Sequence, residues 1–262
     1  MSGSKVEVLS FYSNILNKDM RMMVYLPRDY DELPPLPVLY FLHGRSGDET
    51  ILSALGMDTL ADWMIQNREI KPMIIVCPQI ENSRGMNSAP VFENVIGSDG
   101  NNSIQIGRYE DYLIEEVVPF IDRTYHVIPD KRGRYIGGVS GGGYAALHNA
   151  FRHPDLFTKV GGHMPAIELQ LEEEDKPYFK NMDIWETYDP ISIAKSSLMP
   201  DGLTVYLDAG DQDEGGFYEG CAVLQGILQA KGIAVQNHVF PGHHSVSYVK
   251  ANLEKYLKFY GS

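Results

Sequence analysis

The fold of this chain is decided by the stretch Gly137-Gly138-Val139-Ser140-Gly141-Gly142-Gly143-Tyr144. An apolar segment leads into it and the alanine-rich residues 145–150 leave it, which predicts a strand that turns sharply into a helix. Residues 138–142 read G-x-S-x-G, the pattern of a turn in which a strained serine stands clear of the sheet and glycines avoid collisions with neighbouring elements. The amides that begin the helix would face a developing oxyanion beside Ser140. A glycine-rich loop with no catalytic role has the same pattern, so features elsewhere in the chain have to distinguish the two interpretations.

Strand and helix patterns alternate on both sides of this turn. Buried strands are predicted at residues 37–42, 73–77, 134–137, 159–163, 203–207 and 234–240, and helices at residues 49–67, 108–125, 216–231 and 246–260. Residues 5–12 and 20–26 predict an antiparallel hairpin. We therefore expect an α/β fold with a mostly parallel central sheet and helices on both faces. A chain of 262 residues without repeats or linkers predicts one domain, residues 1–262.

Two stretches interrupt the alternation. Residues 78–107, rich in Asn, Ser and Gly, leave the carboxyl end of a strand and are expected to form one wall of an active-site mouth. Residues 165–190 are expected to be an irregular, lid-like insertion whose acidic side chains form a solvated face. These acidic residues are Glu168, Glu172, Glu173, Glu174 and Asp175. The aromatic residues of the insertion either cap an acyl pocket or pack the insertion on the body; they are Tyr178, Phe179, Trp185 and Tyr188.

Composition narrows the classes of partner. The net charge of −13, from 35 acidic and 22 basic residues, disfavours nucleic acid and anionic lipid, and an anionic substrate would need a local basic patch. Cys77 and Cys221 match no metal-ligand spacing and are expected to be buried hydrophobes, so we expect neither metal nor cofactor. Residues 1–5 lack the apolar core of a signal peptide and no run reaches membrane-spanning length, which predicts a cytoplasmic protein.

Four predicted strand ends carry reactive side chains. They are the loop His43-Gly44, Ser140, the acidic loop 208–214 and the pair His243-His244. The carboxyl ends of parallel strands meet at one edge of a sheet, so these groups are expected to gather there. A serine nucleophile needs a base, and the base needs an acid to orient it. The order serine, acid, histidine is that of an α/β-hydrolase triad and differs from the trypsin-like and subtilisin-like orders.

The base and the acid each have competitors. We take His244 as the base, in competition with His243, which could line the pocket or face solvent, and with His238, which lies inside a predicted strand. Asp213 lies deep enough in its loop to lean toward the histidines and is the preferred acid. The other candidates are Asp208 at the strand end, Asp211 beside the turn glycine, where aspartate often caps loops, and Glu214.

The oxyanion amides and the pocket are predicted from neighbouring positions. Gly141 follows the nucleophile, and Arg45 is the first choice for the second amide donor, with Gly44 as the alternative. A glycine at position 44 lets the backbone approach the substrate closely. Four further side chains are candidates for contact with the substrate: His43, His163, Tyr178 and Trp185.

These motifs together resemble the esterase family of α/β-hydrolases that includes feruloyl and acetylxylan esterases, S-formylglutathione hydrolase, siderophore esterases and mycolyltransferases. The matching stretches are residues 38–44, 137–146, 153–157, 210–213 and 241–253. The family's G-x-x-D pattern falls on residues 210–213 and favours Asp213, and its P-G-x-H-[ST]-x-x-Y pattern falls on residues 241–248 and favours His244. Gly141 stands where many members carry methionine, and Val246 and Val249 stand where tryptophans are common, so the acyl pocket is expected to differ in shape.

The resemblance implies a carboxylic-ester hydrolase that works through an acyl-enzyme on small esters, with acyl, feruloyl or acetyl esters of sugars as first choice. A siderophore trilactone esterase is the alternative and would need a basic cluster, for which Arg45, Arg84 and Arg108 are candidates. An acyltransferase is a further alternative, and S-formylglutathione hydrolysis is less favoured because no glutathione site is identified. A non-catalytic binding module would be expected to lack a triad element, and all three are in place. No oligomeric state follows from the sequence.

Overall fold

A computed structural model describes residues 3–96, 103–199 and 201–262. The strands in these ranges are β1 (Lys5–Ser13), β2 (Lys18–Leu26), β3 (Val38–Leu42), β4 (Ile74–Pro78), β5 (Glu93–Ile96), β6 (Ser103–Ile106), β7 (Arg134–Val139), β8 (Lys159–His163), β9 (Thr204–Gly210) and β10 (Ala234–Phe240). The helices are α1 (Ile51–Ala54), α2 (Met57–Gln66), α3 (Tyr109–Asp111), α4 (Val118–Thr124), α5 (Gly141–Arg152), α6 (Met182–Tyr188), α7 (Pro190–Ser196), α8 (Phe217–Ala230) and α9 (Val246–Gly261). A π-helical segment, Tyr112–Val117, joins α3 to α4.

The central sheet has the strand order β1-β2-β4-β3-β7-β8-β9-β10. β2 pairs antiparallel with β1 and with β4, and the neighbours from β4 to β10 are parallel. Along β3 the side chains alternate between two hydrophobic clusters, one on each face of the sheet, because successive residues of a strand point to opposite faces. The predicted α/β fold with its mostly parallel sheet and antiparallel N-terminal hairpin is confirmed.

The register of the central strands brings three loops to one edge. Leu42 of β3 pairs with Gly138, Val139 of β7 pairs with His163, and His163 of β8 pairs with Asp208. The segments that follow β3, β7 and β9 therefore leave the sheet side by side. They are three of the four loops that the sequence assigns to reactive side chains, and the fourth follows β10, which pairs with β9.

Three segments differ from the sequence prediction. The helix expected at residues 49–67 is divided into α1 and α2 at Gly56, whose φ of 70° no L-residue adopts easily. Loop 78–107 contains the antiparallel pair β5 and β6. Only β6 shows the polar-apolar alternation of a strand, and the polar composition around it hides that signal; residues 97–102 lie outside the described residues.

The insertion 165–190 is not irregular throughout, because it contains a 3-10 turn at Glu173–Asp175 and helix α6. Local signals explain the helix: Asn181 caps α6 by accepting from the amide of Ile184, and Asp189 caps α7 with a proline in its first turn. Among the described residues, no helix combines the length and the apolar character needed to cross a bilayer.

Candidate active site

The turn between β7 and α5 holds Ser140 in a strained conformation, with φ 55° and ψ −120°. The flanking glycines are required by contact: a Cβ on Gly138 would overlap the carbonyl of Gly142, and a Cβ on Gly142 would overlap the carbonyls of Leu42 and His43. The amide of Ser140 donates to the carbonyl of His163 at 3.0 Å, which ties the turn to β8. The serine hydroxyl is thereby fixed at the end of the sheet, in front of α5.

The three residues predicted to act together do meet. His244 Nε2 lies 2.9 Å from Ser140 Oγ, and His244 Nδ1 lies 2.8 Å from Asp213 Oδ2. Asp213 is buried and its other oxygen accepts from the amide of Gly215 at 2.9 Å. A carboxylate can only accept, so Nδ1 carries the proton of the neutral ring and Nε2 is left to accept the serine proton.

The three other candidates for the orienting acid contact groups other than Nδ1 of His244. Asp208 lies inside β9, and Asp211 accepts from the amide of Gly242 at 2.9 Å, in the loop-capping role expected of it. Glu214 accepts from the amide of His244 at 3.0 Å and contacts Nδ1 of His243 at 2.9 Å. The His243 side chain is 60% exposed, so of the two possibilities left open it faces solvent.

Backbone amides flank the nucleophile where an oxyanion hole was predicted. The Cβ position of Gly44 lies 3.2 Å from Ser140 Cβ, so a side chain there would crowd the serine. The amide nitrogen of Arg45 lies 3.8 Å from the Cβ position of Gly141. The Arg45 and Gly141 amides therefore stand on neighbouring backbone segments beside the hydroxyl.

His43 is buried and braces the loop that carries these amides. Its Nε2 accepts from the amide of Ile80 at 3.0 Å, and its Nδ1 donates to the carbonyl of Gly44 at 2.8 Å. Burial lowers the pKa of His43 and keeps the ring neutral, which this donor and acceptor arrangement requires. His43 also lines the two cavities that open on Ser140.

Two of the four predicted substrate contacts are wrong. His163 is fully buried beneath the turn, where Nδ1 donates to Asp208 at 2.9 Å and Nε2 accepts from the hydroxyl of Tyr260 at 3.0 Å. Trp185 packs in the hydrophobic core beside α7, because its ring gains more from burial than from a place at the mouth. Tyr178 does line the cavity, with its hydroxyl donating to the carbonyl of Asn82 at 2.6 Å.

The buried partners of Asp208 form a network that sequence reasoning missed. Oδ2 of Asp208 accepts from the hydroxyls of Tyr248 at 2.7 Å and Tyr256 at 2.8 Å, while Oδ1 accepts from His163. The network joins β8 and β9 to α9, the helix that follows His244. Two signals could have revealed it: a carboxylate inside an apolar strand needs partners, and the tyrosines of α9 recur at multiples of four residues, on one helix face.

Two cavities open on Ser140 and share His43, Gly44, Arg45 and His244. The polar cavity, of about 340 Å³, adds side chains from loop 78–107, from the insertion and from the start of α8: Glu81, Asn82, Arg84, Glu168, Glu174, Asp175, Tyr178, Glu214 and Phe217. The apolar cavity, of about 600 Å³, adds seven aliphatic side chains, together with the polar residues Ser46, Asp48, Thr50 and Ser245: Ile51, Ala54, Leu55, Val139, Met164, Val246 and Val249. The serine therefore stands between a cavity rich in charged side chains and one with an aliphatic wall.

The acidic run of the insertion is not simply a solvated face. Asp175 is buried and accepts from Arg84 Nη2 at 2.6 Å, and Glu168 lies 3.6 Å from the same nitrogen. Glu174 lies 3.3 Å from Nη1 of Arg45. The carboxylate oxygens of Glu168, Glu174 and Asp175 lie within 4.8 Å of one another, a spacing that could hold a cation, but the Arg84 guanidinium already provides positive charge there. Arg84, a candidate for a basic cluster, is a buried part of the cavity wall and is paired with carboxylates.

Comparison with known sequences identifies the family of the chain. The family model described as "Putative esterase" matches residues 13–260. An endo-1,4-beta-xylanase/feruloyl esterase of Xylanibacter ruminicola is 30% identical over 167 residues, which are 62% of this chain and 22% of that protein. The chain therefore matches about a fifth of the length of that relative.

Solved structures share the whole architecture. A ferulic acid esterase superposes with a TM-score of 0.79 at 22% identity, covering 99% of this chain and 98% of its own. An S-formylglutathione hydrolase from Agrobacterium tumefaciens superposes with a TM-score of 0.79 at 17% identity, covering 100% and 96%. At these identities the likeness establishes the α/β-hydrolase fold.

Proposed function

The chain belongs to this esterase family, and from that premise we propose that it is a carboxylic ester hydrolase with Ser140 as nucleophile, His244 as base and Asp213 as the orienting acid. The observation that carries the proposal is the unbroken pair of hydrogen bonds, 2.9 Å and 2.8 Å long, from Ser140 through His244 to Asp213. In this relay the Asp213 side chain is buried and the His244 side chain is partly exposed. A nucleophile that faces a substrate requires this arrangement.

The reaction proceeds in two halves. Ser140 Oγ bonds to the ester carbonyl carbon while its proton passes to His244 Nε2, and collapse of the tetrahedral intermediate breaks the bond to the alcohol oxygen, which takes that proton. Water then attacks the acyl-enzyme, gives a proton to His244 and releases the free acid, while Ser140 recovers its proton. Asp213 stays ionised and stabilises the imidazolium in both halves.

The amides of Gly141 and Arg45 are the proposed oxyanion donors. Gly141 opens α5, so its amide also benefits from the positive end of the helix dipole. Removing one such donor typically costs a factor of about 100 to 1000 in kcat. Gly44 contributes by its lack of a side chain, since a Cβ there would press on Ser140.

The proposed substrates are small esters, with acyl, feruloyl or acetyl esters of sugars as first choice. The feruloyl esterase relative and the ferulic acid esterase fold support this choice. The apolar cavity suits the acyl group, and Val246 and Val249, which replace the tryptophans common in the family, line that cavity and leave it wider.

Neither a siderophore ester nor a glutathione ester is favoured. The three candidate arginines are each engaged by carboxylates: Arg45 by Glu174, Arg84 by Asp175 and Glu168, and Arg108 by Asp111. Such pairs do not form the basic patch that an anionic substrate requires.

We also propose that residues 1–262 act as one domain, in which loop 78–107 and the insertion 165–190 frame the polar cavity from two sides. A cytoplasmic location belongs to the same proposal, since the unpaired, buried Cys77 and Cys221 suit a reducing compartment.

Labelling with a fluorophosphonate tests the nucleophile. Folded wild-type protein is expected to react at Ser140, and Ser140→Ala is expected to lose both the labelling and the hydrolysis of p-nitrophenyl acetate. Ser10→Ala, a change at an exposed serine of β1, is the matched control and should label normally. Labelling or wild-type turnover that survives in Ser140→Ala would exclude this serine as the nucleophile.

Product analysis separates hydrolysis from acyl transfer. With a sugar alcohol present as acceptor, a hydrolase releases free acid as the main product, whereas an acyltransferase produces a new ester. A new ester as the main product would replace the proposed hydrolase by an acyltransferase with the same nucleophile.

A further inference from the structure

Building on the proposed ester hydrolysis, we propose that Arg84, Glu168 and Asp175 form a subsite that binds adjacent hydroxyl groups on the alcohol part of the substrate. We call these three residues the hydroxyl subsite. It lies in the wall of the polar cavity that also contains Ser140 and His244. The ligand class is an uncharged polyhydroxylated alcohol, such as a sugar or a glycerol unit.

Burial gives the subsite its binding potential. The side chains of Arg84 and Asp175 are 9% and 1% exposed, and Asp175 uses Oδ1 for the 2.6 Å bond to Arg84. Oδ2 of Asp175 is buried and has no hydrogen-bond partner in the described part of the chain, apart from the proton that the Glu168 carboxyl group can supply. A buried carboxylate oxygen needs a donor, so a hydroxyl that enters the cavity and donates to Asp175 in place of Glu168 gains more than it would at the surface.

The proton balance of the subsite suits a neutral ligand. Burial and the neighbouring Asp175 raise the pKa of Glu168 to about 8, while Arg84 works in the opposite direction. Glu168 is therefore protonated at neutral pH, and the subsite then holds one anion, one cation and one neutral carboxyl group. Charge is matched without any ion from outside, which leaves hydrogen bonding as the basis of recognition.

A sugar-like alcohol can satisfy the three groups together. Each hydroxyl offers one donor and two acceptor positions, so it can donate to Asp175 and accept from Arg84 or from the Glu168 carboxyl group. The Arg84 Cζ lies 5.0 Å and 5.5 Å from the ring centroids of Tyr144 and Tyr178, and Nη2 is bonded to Asp175, so the guanidinium is held in place. Tyr178 and Phe217 line the same cavity and can pack on the apolar face of a sugar ring.

Charge in the cavity argues against an anionic alcohol. Its wall carries five carboxyl groups and two guanidinium groups, so an added anion would be repelled even with Glu168 protonated. A cationic alcohol would be attracted by the cavity as a whole, and the experiment must distinguish it from a polyhydroxylated one.

The test compares three esters of one acid. Propyl butyrate carries no hydroxyl, 1-glyceryl butyrate carries two adjacent hydroxyls, and butyrylcholine carries a cation. For the wild type at pH 7 we expect kcat/KM for the glyceryl ester to exceed that for the propyl ester by about tenfold or more, the effect of one or two hydrogen bonds to charged groups. The ratio of the two values cancels effects on the catalytic steps that both esters share.

Two substitutions of Glu168 separate the subsite from a structural role. Glu168→Leu should lower the glyceryl-to-propyl ratio to about one, whereas the same change at the exposed Glu173, which contacts Lys176, should leave it at the wild-type value. Glu168→Gln keeps a donor and an acceptor at every pH. It should therefore keep a glyceryl-to-propyl ratio well above one, as the wild type does.

Each possible result tests either the hydroxyl subsite or the proposed nucleophile. A wild-type ratio near one, an equal loss on both esters in Glu168→Leu, or a preference for butyrylcholine over the glyceryl ester would overturn the hydroxyl subsite and leave the esterase intact. Hydrolysis of the propyl ester that persists in Ser140→Ala would instead overturn the proposed nucleophile. Failure of the wild type on all three esters would remove the proposed function and this inference together.

Discussion

Replacing Asp213 by asparagine tests the relay at its buried end. The carboxylate accepts from Gly215 with Oδ1 and from His244 Nδ1 with Oδ2. An asparagine that keeps the Gly215 bond turns its amide group toward Nδ1, so the ring must carry its proton on Nε2. That tautomer cannot accept the proton of Ser140. An asparagine that rotates to accept from Nδ1 turns its own donor toward the Gly215 amide, and the loss of that hydrogen bond costs about 1 kcal/mol.

Both orientations therefore impair the reaction. Including the lost stabilisation of the imidazolium, we expect kcat for p-nitrophenyl acetate to fall on the order of 10³- to 10⁴-fold, equivalent to about 4–5 kcal/mol. The melting temperature should change little, because the substitution keeps the volume and one hydrogen bond. Asp211→Asn, in the same loop, is the matched control and should cost less than about tenfold, as it loses one exposed loop bond. If Asp213→Asn kept a tenth of the activity, or if Asp211→Asn or Glu214→Gln cost more than it, the orienting acid would be another residue.

Two further substitutions test packing and pH dependence. Gly142→Ala should lower the melting temperature by roughly 2–10 °C and abolish activity, because overpacking against backbone typically costs about 1–3 kcal/mol or more; Gly226→Ala, in an open position of α8, should instead raise it slightly. Burial alone would raise the pKa of Glu110, but hydrogen bonds from His148 and His153 hold it well below its usual range. That stability is present above the unfolded pKa of about 4.3 and is lost as pH falls through the folded value. Glu110→Gln should thus melt earlier than wild type at pH 7, and a gap that did not narrow toward pH 2 would count against this linkage.

The fold and the central part of the site could be predicted because they depend on local patterns. The apolar run of β3 and the alternation of strands and helices determine a parallel sheet, and a parallel sheet collects its strand ends at one edge. Ser140, Asp213 and His244 follow from that rule together with the resemblance to the esterase family. The α/β-hydrolase fold and the membership of the family are confirmed, and the roles of the three residues remain predictions that the experiments above address.

The burial of Asp175 with Arg84 and the inward orientation of the His163 side chain could not be predicted from local patterns. Asp175 lies in a run of charges that has the composition of a solvated face, and its partner Arg84 is 91 residues away. His163 looked like a pocket residue because it ends a strand at the active edge, but its side chain points into the protein, toward Asp208 and Tyr260. Which face a strand-end residue uses depends on partners from distant elements, and single-residue patterns do not contain that information.

The network around Asp208 limits how this protein can be recombined with its relatives. Helix α9 begins at Val246, two residues after His244. Its residues Tyr248 and Tyr256 supply the hydroxyls that the buried carboxylate of Asp208 in β9 needs. A chimaera that takes its last helix from a relative without those hydroxyls would keep the bond from His163 to Oδ1 of Asp208 but leave the buried Oδ2 without its two donors. Asp208 of β9 and the tyrosines of α9 therefore have to be exchanged together when the last helix is replaced by that of a relative.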